Sequence, residues 1–256
     1  MPDGVQRKPV IQSVSRAISI LRCFDGDVLL SLSEIARMVG LHKSTTAGII
    51  ATLKAEGFLE QDENTGKLRL GLALFSLAVQ ARRGLAEICE PYLNQLLSLT
   101  GETVNLAVLD KTEIVYIAKK ESPHSVRISS SVGAHRPVYC TAIGKAILAS
   151  MDRPKAEALL DRVDIKPLTQ HTIIDKKELF KAIDAAMQDG VAYDFEEFQL
   201  GLVCIGAPLF HKEGEPIGAI SVSGPTLRLD EAIRDEIANI VKDIAGQICK
   251  ELTRLL

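Results

Sequence analysis

The sequence contains no apolar run of about eighteen residues, so nothing in it suggests a membrane-spanning helix. Its first ten residues, MPDGVQRKPV, lack the apolar centre of a secretion signal. Cysteine is sparse: Cys23, Cys89, Cys140, Cys204 and Cys249 stand more than forty residues apart. That spacing excludes CxxC-type metal or redox motifs. The odd count argues against a disulfide framework, and a reducing cytoplasm is the setting expected. His124, His135, His171 and His211 are scattered without ligand spacing, so neither a metal site nor a cofactor is expected. Positive charge is also not in excess: 30 Lys and Arg face 33 Asp and Glu, a net of −3. A nucleic acid could be held only by cations that the fold gathers locally. There is no internal repeat and no low-complexity tract.

What is present suffices for one or two globular domains: 256 residues, 46% of them hydrophobic. Residues 1–12 are expected to form a flexible arm. In SVSRAISILRCF, Val14, Ala17, Ile18, Leu21 and Phe24 recur at helical spacing, with Ser13 as N-cap. Ser31 and Glu34 make a capping box before Ile35, Ala36 and Val39, and Gly40 ends that helix. A second helix is expected over 43–56, with Thr46, Ile49, Ile50 and Leu53 inward. FLEQDENTGKLRL follows as a hairpin turning at Asn64 and Gly66. This order is that of a winged helix-turn-helix, placed at 13–71. A linker helix is expected over 72–84, broken weakly at Gly84. Helix 85–100 then stops at Gly101.

Beyond it the pattern changes to strands joined by tight turns. TVNLAVLD and EIVYIAKK pair around Asp110 and Lys111, and SVRISS suggests a third strand. VAYDFEEF, GLVCIGAPLF and PIGAISVSG follow, the last two joined by HKEGE. CTAIGKAILAS, DKKELFKAIDAAMQDG and a long closing segment after Asp230 are helical. Asp175 caps the second of these and Gly190 stops it. The fold class is therefore α+β in two domains, the second (85–256) an antiparallel sheet flanked by helices.

A helix-turn-helix lays its second helix in the major groove. Opposite the inward residues of helix 43–56 lie Ser44, Ala47, Gly48 and Ala51, flanked by Lys43, Thr45 and Thr52. None is Arg, Asn or Gln, the residues that make bidentate contacts to base edges, so direct readout is expected to be thin. Ser44 and Thr45 can bond base edges or phosphates, Ala47 can touch thymine methyls, and Gly48 allows close backbone approach. Affinity would rest on phosphate contacts from His42, Lys43, Lys54, Lys67 and Arg69, the last two on the wing. Lys54 fits a solvated helix residue equally well.

LSEIARMVGLHKST, TLKAEGFLEQD and GKLRLG resemble the N-terminal half of the IclR family of bacterial transcriptional regulators. VGAHRPVYCTAIGKAILA, DFEEF, GLVCIGAPLF and IGAISVSGP resemble its effector-binding half, in the family's order and spacing over about residues 10–250. Many members carry an aromatic or His and then an Arg where this chain has Ala47 and Gly48. That departure bears on base contacts and leaves fold and general role intact. The resemblance implies a GAF-like sensor domain, a homodimer or dimer of dimers binding double-stranded DNA, and a small carboxylate effector. It carries effector contacts onto the backbone amides of Gly133 and Ala134, and onto Asp194, Cys204, Ser221 and Ser223.

The residues independently suggest a pocket. SVGAH is a Gly-bearing loop whose amides could hold an anion, and Ser129, Ser130 and Ser131 add hydroxyls. Alternation places Cys204, Gly206 and Pro208 on one strand face opposite Val203, Ile205 and Ala207, and separates Ser221 and Ser223 from Ile220 and Val222. The bland alternatives are a buried small Cys204, solvated serines and an acidic strand end at Asp194, Glu196 and Glu197. Two rival functions use the same residues. One is a thiol enzyme acting through Cys204 or Cys140, although no base stands at recognisable spacing. The other is a helical adaptor that binds no DNA. Dimer contacts would come from the helices near 14–24 and 72–83, where Arg82 and Arg83 could assist but fit a solvated helix end better.

Overall fold

The computed structural model describes residues 11–24, 28–81, 83–128, 130–210 and 216–255. The expectations for residues 1–10, Arg82 with the Arg83 side chain, Ser129 and the HKEGE turn lie outside them. The chain divides into two compact units, residues 1–83 and 84–256.

The first unit begins with α1 (Gln12–Leu21), α2 (Leu32–Met38) and α3 (Lys43–Ala55). Helix α1 starts one residue before Ser13, which is therefore inside the helix; Ile11 is the N-cap and gives no side-chain bond. The capping box of α2 is complete. Glu34 N donates to Ser31 Oγ at 3.3 Å, and Ser31 N donates to Glu34 Oε2 at 2.8 Å. Gly40 then turns left-handed at φ 65°, a conformation that carries no Cβ penalty in glycine. Ile20, Phe24, Ile35, Ile50, Leu53, Leu59 and Leu68 form the core that locks α2, α3 and the wing together. The wing is β1 (Leu59–Gln61) against β2 (Leu68–Leu70), and Leu68 also bridges to Leu30. Asp62 organises its turn, its Oδ1 accepting from Thr65 N at 2.8 Å. Helix α4 (Leu72–Ala81) closes the unit.

The second unit opens with α5 (Arg83–Thr100). Gly84 lies inside this helix rather than breaking it. Then come β3 (Thr103–Asp110), β4 (Glu113–Lys120), β5 (His135–Pro137), α6 (Ala142–Ala149), α7 (Arg153–Leu160), α8 (Lys176–Asp189), β6 (Ala192–Phe195), β7 (Leu202–Phe210), β8 (Pro216–Pro225) and α9 (Glu231–Leu255). The sheet is antiparallel in the order β5-β4-β3-β8-β7-β6. The described residues of SVRISS, 125–128 and 130, form no strand. Side chains clasp that segment instead: Arg228 Nη2 donates to the Val126 carbonyl at 2.9 Å and Lys119 Nζ to the Ser130 carbonyl at 2.6 Å. The edge position beside β4 goes to His135–Pro137.

Each sheet face carries its own core. Val104, Leu106, Val203, Ile205, Ile220 and Val222 pack with α5 and α9. On the other face Ala107, Ala192 and Ala219 pack with Ile143, Ile147, Leu179 and Ile183 of α6 and α8. Small strand residues let α6 approach closely. A Cβ on Gly206 would come within 3.0 Å of the Ala142 carbonyl carbon and 3.1 Å of Ile143 N. Asp175 caps α8 through Lys177 N and Glu178 N, and Gly190 ends it at φ 74°.

Candidate DNA interface and effector cavity

Thr46, Ile50 and Leu53 turn one side of α3 into the core, and half-buried Ile49 packs beside them. The opposite side faces outward. His42, Lys43, Ser44, Thr45, Gly48, Ala51 and Thr52 are exposed, and Ala47 is half-buried. Nothing lies within 4 Å of where a Cβ on Gly48 would sit. His42, the N-cap, makes no side-chain bond to the helix. The first-turn amides of α3 are therefore not capped by a side chain, and such amides attract anionic oxygen. The cations differ in their engagement. Lys43 is exposed on the first turn of α3, and half-buried Lys67 stands on the wing. Lys54 Nζ donates to Gln61 Oε1 at 2.5 Å, and Arg69 is held by Glu60 at 3.1 Å. Arg69 thus carries its counter-ion within the wing, which its alternation with Leu68 and Leu70 could not reveal.

In the second unit, register aligns the predicted pocket residues across three strands. Asp194 of β6 stands opposite Cys204 of β7, which stands opposite Ser223 of β8; Gly206 pairs with Ser221. Asp194, Cys204, Ser221 and Ser223 line one cavity of about 140 Å³ under the start of α6. Residues that sequence reasoning missed line it too: Asn105, Tyr116, Arg136, Thr141 and Ala142. Among the described lining residues Arg136 is the one cation, and its guanidinium lies 5.4 Å from the Phe198 ring centre. A polar chain runs along the wall. Ser130 Oγ donates to Asn105 Oδ1 at 2.7 Å, and Asn105 Nδ2 donates to Ser223 Oγ at 3.4 Å. A buried Asn inside the apolar strand TVNLAVLD was the one available signal for this wall, since an unpaired buried amide would be costly.

Gly133 and Ala134 take different places from those expected. Neither lines the cavity, and their amides are used within the loop. Gly133 N donates to the Tyr116 carbonyl at 2.7 Å and Ala134 N to the Ser131 carbonyl at 3.1 Å. The first turn of α6 contributes to the cavity lining. Thr141 Oγ1 caps Gly144 N at 3.2 Å, and Ala142 and Ile143 themselves form the lining.

Burial sets the electrostatics. The Asp194 carboxyl is pushed up to about 7, first by desolvation and then by the neighbouring Glu197 charge. Burial also drives the Cys204 thiol well up, reinforced by Asp194. Beside them the Lys145 ammonium pairs with Glu197, and both side chains are almost wholly buried. Groups of three or more His, Cys, Asp or Glu suited to a metal ion do not occur among the described residues.

Comparison with known proteins gives this arrangement its class. The model for the bacterial transcriptional regulator IclR C-terminal domain matches residues 77–250, and that for the IclR helix-turn-helix domain matches residues 13–63. The HTH-type transcriptional regulator KdgR of Escherichia coli is 32% identical over 244 residues, covering 94% of this chain and 93% of that protein. The transcriptional repressor IclR of Escherichia coli is 32% identical over 239 residues, covering 91% and 87%. Among solved structures, Thermotoga maritima IclR superposes with a TM-score of 0.77 at 28% identity, covering 95% of this chain and 100% of that one. An IclR homologue of Microbacterium hydrocarbonoxydans complexed with 4-hydroxybenzoate shares the fold, with a TM-score of 0.84 at 24% identity over 95% and 100% of the two chains. The chain belongs to the IclR family of bacterial transcriptional regulators. Its N-terminal helix-turn-helix is the DNA-binding domain of that family.

Proposed function

We propose that this chain is a cytoplasmic homodimeric regulator whose grip on operator DNA responds to a small organic anion bound in the cavity of the second unit. The observation that carries this reading is the cavity's chemistry. One cation, Arg136, and the first turn of α6 flank it, and hydroxyl, amide, thiol and carboxyl groups line the facing sheet. Helix amides and a guanidinium suit a carboxylate, and the sheet groups suit its remaining oxygens. Asp194, Cys204, Ser221 and Ser223 are the proposed sheet contacts, with Ala142 and Ile143 taking the amide role expected of Gly133 and Ala134. A thiol enzyme is disfavoured because burial holds the Cys204 thiol in its protonated, poorly nucleophilic form.

On the DNA side, Ser44, Thr45, Ala47 and Gly48 are proposed to face the groove, with His42 and Lys43 on phosphates. An exposed stripe of Ile11, Val14 and Ile18 on α1 supports self-association as a dimer or a dimer of dimers. Two domains so joined would bind half-sites about 34–36 Å apart or a multiple of that. The direct experiment is a gel shift on DNA upstream of the gene that encodes this chain, with and without a panel of organic acids. Retarded complex that one acid loosens or tightens is the expected result; absence of any retarded complex would defeat the reading.

Charge variants on the wing give a graded check. Lys67→Gln is expected to flatten the dependence of log affinity on log salt by about one unit. Glu60→Gln releases Arg69 from its 3.1 Å pair and is expected to tighten binding at low salt. An unchanged slope in the first variant, or weaker binding in the second, removes the wing from the interface. Linkage adds a further expectation. An acid that weakens DNA binding must bind the DNA complex less tightly than free protein, by the same factor. Calorimetric titration of both forms reads that factor, and equal affinities would exclude coupling.

A further inference from the structure

Two acids and one lysine sit together beneath the effector cavity, and their pairing is unequal. Asp194 is 1% exposed. Its Oδ1 accepts from Glu197 N at 2.8 Å and Phe198 N at 3.3 Å, which fixes the carboxyl plane, and the Cys204 thiol also hydrogen-bonds this cavity-lining carboxyl. Lys145 of α6 is joined to Glu197, so the cation and one acid neutralise each other. Among the described residues Asp194 has no such pair. Around it stand Glu197, Lys145, and the Cys204 and Cys140 thiols; Tyr116 and Arg136 face the same cavity. Both thiols and the Tyr116 phenol are pushed up by burial, so they add no anion at neutral pH.

An organic anion entering about 140 Å³ of this cavity brings a second carboxylate into a confined space. Two carboxylates at such range do not both stay ionised when one lacks a cation. Resting on the effector-site reading above, we propose that Asp194 serves the cavity as a neutral carboxylic acid, donating its O–H to an oxygen of the bound anion. Lys145 and Glu197 are the positioning pair that keeps it so. The effector's carboxylate lies toward Arg136 and the first turn of α6, and its second oxygen, a keto or hydroxyl group, accepts from Asp194. The ligand class is therefore an oxo- or hydroxy-carboxylate, bound with the Asp194 proton retained. The upward push on Asp194 agrees in direction, because burial and Glu197 outweigh Lys145.

The first measurement is made on the protein alone. The infrared difference spectrum between ligand-free wild type and Asp194→Asn at about pH 6 is expected to show the C=O band of a protonated carboxylic acid. The substitution removes it. Glu197→Gln, which leaves Lys145 to turn toward Asp194, is expected to abolish the band at the same pH. A purely structural ion pair would leave it in place. Titration with pyruvate, lactate and 4-hydroxybenzoate then reads the binding side. For an acid that binds, wild-type affinity is expected to fall about tenfold per pH unit above about pH 7. Asp194→Asn, whose amide N–H replaces the acid O–H, is expected to keep the low-pH affinity throughout. Absence of the band, or wild-type affinity that does not vary with pH, overturns the proposal. A band with no binding by any of these acids supports the neutral Asp194 and overturns the effector class instead.

Discussion

Replacing Gly48 by Glu is expected to abolish operator binding while the protein stays folded and no less stable. Position 48 is exposed in the middle of α3, and a Cβ there would meet nothing within 4 Å. Glycine is a poor residue for a helix interior. Gly48→Ala is therefore expected to stabilise the first unit by about 1 kcal/mol, seen as a rise of a few degrees in Tm. The glutamate shares most of that gain. On DNA the signs differ. The face that carries Gly48 also carries Ser44, and a carboxylate there would lie among base edges and phosphates. Like charges brought together in an interface cost several kcal/mol, so a loss of at least about a hundredfold in affinity is expected. Fluorescence anisotropy on operator DNA and thermal unfolding of the same preparations separate the two effects. A Gly48→Glu protein that binds DNA like the wild type would show that this face of α3 points away from the groove.

The second large effect lies in the other unit. Lys145→Met removes the partner of Glu197 at a site where both side chains are almost fully buried, at 3% and 6% exposure. One Glu197 oxygen, Oε2, is already without a hydrogen-bond partner among the described residues. Stranding a buried charge in this way costs about 3–5 kcal/mol, whereas replacing both members by apolar residues is often close to neutral. Lys145→Met is thus expected to lower the unfolding free energy by that amount at neutral pH. Lys145→Met with Glu197→Leu should recover most of it. The sign of the pH dependence follows. Glu197 without its lysine has a folded-state pKa raised above the unfolded one, so its contribution is most favourable in acid and is lost as pH rises. The deficit should shrink on acidification, as denaturant melts at about pH 5 and pH 8 would show. A deficit independent of pH would mean that Glu197 is not ionised in the folded chain.

Local chemistry made the fold legible. The Ser31–Glu34 box, the Gly40 turn, Asp175 at the start of α8 and Gly190 at its end each act within a few residues, and each stands where the sequence placed it. Readings failed where tertiary contacts decide. SVRISS alternates like a strand, yet Arg228 and Lys119 clasp it from distant elements, and the sheet edge goes to His135–Pro137. Gly84 reads as a weak helix breaker but lies within α5, where nothing approaches its Cβ position. Ser13 matched the N-cap composition, but the helix begins at Gln12.

The cavity shows the same division. Strand alternation puts Cys204 on the face away from Val203 and Ile205, and pairing brings Asp194 and Ser223 beside it. Asn105 stands out only as an amide in an apolar strand and nothing local marks Arg136; both reach the site because β3, β4 and β5 neighbour one another in the sheet. The family resemblance carries effector contacts onto the amides of Gly133 and Ala134. Hydrogen bonds to the Tyr116 and Ser131 carbonyls use those amides.

Photo-crosslinking from position 48 tests the central claim most directly. A photoreactive phenylalanine analogue replaces Gly48, where space is open, and the full-length protein is irradiated on DNA from its own upstream region. Attachment to bases in two clusters about 34–36 Å apart, or a multiple of that, is predicted. Attachment nowhere on the DNA, in a protein that still shifts it, would contradict the placement of α3 in the major groove.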